Sequence, residues 1–78
     1  MTEEDREKRI KRIARCFTTE GIQTMIAGNK RNLADLQMLE DELGEAGREY
    51  RRNAMKAYRE KLSINEAALE LRLLKGGA

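Results

Sequence analysis

Apolar residues recur every three or four positions along almost the whole of this chain, and no proline interrupts them. That spacing is helical: residues i, i+3, i+4 and i+7 share one face. Aromatics make up only 4% of the 78 residues, and Ala, Leu, Glu, Lys and Arg dominate, a composition typical of long helices and coiled coils. The expected fold is all-α: one domain over 1–78, a small coiled-coil-like helical bundle of three to four helices.

Local signals set the expected boundaries. Thr2 with Asp5 reads as a capping box, and Ile10, Ile13, Ala14 and Phe17 form one stripe, predicting a helix over 3–17. The stripe loses phase at Glu20 and Gly21, so a turn is expected near Thr18–Glu20, with Thr18 or Thr19 capping a short helix over 20–27. Gly28 reads as a stop and Asn32 as the next N-cap. From Leu33 the stripe runs through Leu36, Leu39, Leu43, Ala46, Tyr50, Ala54 and Leu62, predicting a long central helix over 33–61. A hairpin broken at Gly44–Gly47 is the alternative, since each interior glycine costs about 1 kcal/mol relative to alanine. Ser63 with Glu66 reads as a second capping box, opening a last helix over 64–75.

A single domain this small needs additional buried surface, and the usual staples are missing. Cys16 has no second cysteine to pair with, and the chain has no histidine, which removes the common zinc patterns. Homodimerisation is therefore expected, through Leu36, Leu39, Leu43, Ala46, Gly47, Tyr50, Ala54, Leu71 and Leu74. In the last helix Ile64, Ala67, Leu71 and Leu74 keep the 3-4-3 spacing of a seam. Leu69 and Leu73 lie away from that seam and read as a face for another protein.

Charge narrows the possible partners. Charged residues are 38% of the chain, yet the net charge is only +2. Asp35, Glu40, Asp41, Glu42 and Glu45 form an acidic block, followed at once by a basic one. Arg48, Arg52, Lys56 and Arg59 project on one helical face and form a candidate nucleic-acid-contacting ridge. Pairing between the two blocks, in an antiparallel dimer or within one hairpin, explains the same pattern. A helix-turn-helix tried on 56–74 fails, because Glu60 and Glu70 fall at positions that need apolar residues.

Catalysis has little to work with: no histidine, no glycine-rich phosphate loop, and no Ser or Cys beside an evident base. No enzyme activity, cofactor or metal is expected. No apolar run is long enough to span a bilayer, and the charged N-terminus does not read as a signal peptide. With a lone thiol, this makes a cytoplasmic location the expectation. The expected function is a small intracellular interaction protein that binds and regulates a larger protein, by inhibiting, antirepressing or chaperoning it. Phages and mobile elements encode many compact helical proteins of that kind, an analogy of size and class alone. A nucleic-acid-associated protein using the basic ridge is the alternative, and a structural coiled-coil element the second.

Overall fold

The computed structural model describes residues 1–39 and 44–75, and these form three helices. Helix α1 spans Glu3–Cys16, α2 Thr19–Met38 and α3 Glu45–Leu74. No strand occurs among the described residues, and the expected all-α bundle is what the chain forms.

The first two helices begin where their caps require. The Thr2 hydroxyl accepts from the Asp5 amide at 3.1 Å, and Glu3, Glu4 and Asp5 occupy the first turn, where the helix dipole favours anions. Phe17 and Thr18 are both extended and form the entire connection to α2. The Thr18 hydroxyl then accepts from the Gly21 amide at 3.0 Å and starts the second helix.

α3 is the spine. Its 30 residues account for about 45 Å at 1.5 Å per residue, close to the 47 Å long axis of the molecule. α2 packs against it antiparallel: Thr19 lies beside Arg72, and Asn29 beside Asn65. α1 packs against it parallel: Arg6 reaches Ser63, and Ala14 lies beside Arg72. α1 and α2 barely touch each other. The C-terminal half of α3 therefore has two neighbours and its N-terminal half only one.

Burial follows this layout. Ala14, Ile22, Ile26, Ile64 and Ala68 form the apolar core at the three-helix end, with Met55 further along α3. Among the described residues, Ile22 and Ile64 are the large side chains essentially removed from solvent. A compact monomer of 9.0 kDa should expose about 4,900 Å², whereas this chain exposes 6024 Å². Its radius of gyration is 14.7 Å, against about 11.5 Å for a globular chain of this length. The helices lie in a slab only 15 Å thick along its shortest axis.

Three expected boundaries are corrected. α2 runs straight through Gly28 and Asn32: Gly28 lacks the positive φ of a C-terminal stop, and Ile22, Ile26, Asn29 and Leu33 keep one face turned inward. The long helix over 33–61 does not exist as one element. It is divided between α2, which ends at Met38, and α3, which begins at Glu45 after an extended Gly44. The hairpin alternative is nearer to the structure, although Gly47 lies inside α3. Folding back lets one half of the apolar stripe cover the other within the same chain. Glu40, Asp41, Glu42 and Leu43 lie outside the described residues, as does Gly76.

Ser63 does not open a helix either. α3 passes through it, because nothing before it breaks the helix, and its hydroxyl accepts from Arg6 Nη2 at 2.7 Å. Truncating Ile64 to alanine should cost about 2–5 kcal/mol, because that side chain is wholly enclosed. The half-buried Leu71 should cost less than half as much on the same change. Urea titrations followed by circular dichroism check both, and equal losses would contradict the burial order.

Candidate functional site

The fold creates four surfaces at which something could bind. The first is the C-terminal end of α3. Leu69, which the sequence pattern assigns to a partner, is half-buried, in the row Met55, Leu62, Asn65, Leu69 and Arg72 that faces α2. Leu73 is 54% exposed and Leu74 78%. Arg72 touches both sides of the α1–α2 turn, so the exposed Phe17 belongs to this same end of the molecule. Phe17, Leu73 and Leu74 are thus three exposed apolar side chains at this end of the molecule.

The residues expected to self-associate are divided by the hairpin. Leu36, Gly47, Ala54 and Leu71 are half-buried, while Leu39, Ala46, Tyr50 and Leu74 are exposed. Leu39 and Tyr50 belong to the two-helix end, whereas Leu71 and Leu74 lie at the other, so they do not form one seam.

The basic ridge is intact. Arg48, Arg52, Lys56 and Arg59 are all exposed along α3, and none makes an ion pair among the described residues. Arg52 and Arg59 also line a cleft of about 270 Å³ with Arg51, Met55 and Gln37 of α2. A second cationic cleft, about 330 Å³, opens between α1 and α3 where Lys11, Arg15, Arg72 and Lys75 surround Ala14 and Leu71. Both helices end there, so these cations also stabilise two negative dipole ends, at about 0.3–1 kcal/mol each.

The fourth surface is one that sequence reasoning misses. A groove of about 330 Å³ runs between α1 and α2 with α3 as its floor. Ile13 and Met25 form its apolar walls, and Arg9, Lys61 and Asn32 its polar rim. Asn29 and Asn65 line it as well, 9% and 6% exposed, with Asn65 Nδ2 donating to Asn29 Oδ1 at 2.8 Å. The one available signal is an asparagine in phase with Ile22 and Ile26, and the adjacent Gly28 masks it by making the segment resemble a loop. Arg72 is missed too. Its Nε donates to Thr19 Oγ1 at 3.2 Å and its Nη1 to the Ala14 carbonyl at 3.0 Å, joining the ends of all three helices.

Gly28, on the groove wall, is unexplained by packing within the chain. A Cβ added there would meet nothing within 4 Å. Gly28→Ala is therefore expected to stabilise the folded chain by about 0.5–1 kcal/mol, read as a higher urea midpoint. A lower midpoint would mean that the glycine serves the chain's own packing.

Among the described residues no cluster of Cys, Asp or Glu has a geometry able to hold a metal ion, and no helix is long and apolar enough to cross a membrane. No protein-family model, curated protein or solved structure matches this chain.

Proposed function

We propose that this chain is a non-enzymatic interaction protein that binds a larger protein and thereby regulates or chaperones it, and that it does so as a homodimer. One observation carries the reading: the chain exposes on the order of 1,000 Å² more than a compact monomer of its mass needs to. That excess is comparable to the roughly 800 Å² each partner buries in a standard interface. Part of it is large and apolar, at Phe17, Leu73 and Leu74, where an interaction surface holds its anchors.

Leu73→Asp with Leu74→Asp tests the reading. Both side chains are mostly outside the core, so the double variant should keep its helical circular-dichroism spectrum. Association, measured by light scattering across a dilution series and by quantitative pull-down, should be lost. A wild-type chain that is a well-folded monomer at every concentration and retains no protein would remove the proposal. An unfolded double variant would assign these leucines to the core.

The exposed row Arg48, Arg52, Lys56 and Arg59 favours a second reading, in which α3 contacts nucleic-acid phosphates. Arg52→Glu with Lys56→Glu should then change stability by no more than about 0.5 kcal/mol while abolishing retention on a polyanion column. Non-specific binding is strongest at low salt, so failure of the wild type to bind duplex DNA at about 50 mM salt removes this reading. Marked destabilisation by the reversal at low salt would show instead that the ridge pairs with the acidic block.

A further inference from the structure

The groove between α1 and α2 combines three features open to a ligand, although the Lys61 ammonium also lies 5.3 Å from the centre of the Tyr58 ring. The first is hydrogen-bonding capacity. Asn29 and Asn65 are each more than nine-tenths buried, yet the bond between them uses only one group of each amide. Asn29 Nδ2, a donor, and Asn65 Oδ1, an acceptor, have no partner among the described residues, and both side chains line the groove. Neither atom is sealed from solvent, so both are open to a ligand through the groove.

The second feature is charge. Arg9 and Lys61 stand at the rim, and no carboxylate lines the groove. The third is Gly28. It interrupts a good helix-forming segment on the groove wall and opens onto empty space. A small residue in that position is what close approach of another backbone requires. Ile13 and Met25 supply apolar walls, and the unbranched methionine can adapt to a range of shapes.

Geometrically, the groove lies over one helix and between two others, where the fourth member of a bundle would sit. We infer that it seats an acidic α-helix of the partner protein. An Asp or Glu of that helix would accept from Asn29 Nδ2 and pair with Arg9 and Lys61, and a small residue beside it would pack on Gly28. This inference rests on the interaction reading above and adds to it the site and the chemistry of the partner.

A phage-displayed library of helical peptides, selected on the immobilised full chain, tests it even while the partner is unidentified. The selected peptides should carry an Asp or Glu next to a small residue. Labelled copies should bind at least tenfold more weakly, by fluorescence anisotropy, to Gly28→Leu and to Arg9→Glu with Lys61→Glu. Both rim residues are exposed, so the charge reversal tests the groove even where Gly28→Leu fails to fold. Binding should weaken with added salt and should shift the Asn29 and Asn65 side-chain amide signals in a nitrogen-15 correlation spectrum.

Acid-free selected peptides, or affinities unchanged by the charge reversal, would overturn the inference. Displacement of the peptide from the groove by a 12-base-pair duplex at equal concentration would overturn it in favour of nucleic acid. If Leu73→Asp with Leu74→Asp abolishes association while the groove variants bind normally, the interaction reading stands and the groove assignment alone falls.

Discussion

The hydrogen bond from Asn65 to Asn29 fixes how α2 and α3 meet, and the remaining layout follows from that meeting. Apolar contacts between two helices tolerate sliding, because leucine, isoleucine and alanine can exchange places at modest loss. Two buried amides tolerate it far less. A slip of one turn, about 5.4 Å, would separate them and leave buried polar groups unmet, at about 1–3 kcal/mol each. Arg72 holds the same register two turns further along α3 and adds α1 through the carbonyl of Ala14. That carbonyl belongs to the last turn of α1, where helix geometry supplies no internal partner. One guanidinium thus completes the end of one helix and ties it to the start of the next.

This polar framework takes over a role that a larger protein would leave to its core. Eight described residues are buried, and two of them are the asparagines. Three helices laid in a 15 Å slab have two broad faces and little interior. A helix in such a layer buries only the sides that touch its neighbours, so much apolar surface stays wet. The hydrophobic gain from covering it is about 25 cal/mol per Å², which makes a second copy or a partner the natural completion. Marginal burial and a binding role have one physical origin here.

Part of this was legible in the sequence. Thr2 with Asp5, and Thr18 before Gly21, are local signals: a hydroxyl and an amide three residues apart need nothing from the rest of the chain, and both caps form. The helical period and the absence of proline likewise determine the fold class. Signals that depend on competition were misleading. Ser63 and Glu66 have the spacing of a capping box, but that spacing also occurs within helices, and no breaker precedes it. Gly28 and Asn32 resemble a stop and a restart only until packing of Ile22, Ile26 and Leu33 on α3 outweighs the glycine's cost of about 1 kcal/mol. The continuous stripe from Leu33 to Leu62 could not reveal that it covers itself, because period reports which face is apolar and not what lies opposite. The groove was illegible for the same reason: Arg9, Gly28, Lys61 and Asn65 become neighbours only through topology.

The two ends of the molecule differ in how firmly they are held, which bears on what each can recognise. Seven of the eight buried residues lie at the three-helix end, and Met55 is the one exception. Local opening follows the density of buried contacts, so the end carrying Arg48 and Tyr50 opens at lower free energy than the end carrying Ile22 and Ile64. A shaped site depends on preorganisation, since ordering each long side chain at an interface costs about 0.5–1.5 kcal/mol. The groove has its floor pinned by the Asn29–Asn65 bond and its walls set by two helices joined through Arg72. The basic ridge lies on the half of α3 that has a single neighbour, its cations exposed and without ion pairs among the described residues. Such a ridge suits long-range attraction, which is insensitive to side-chain position. The pinned groove suits discrimination between one helix and another, so attraction and recognition fall on successive stretches of α3, the ridge up to Arg59 and the groove from Lys61 to Asn65.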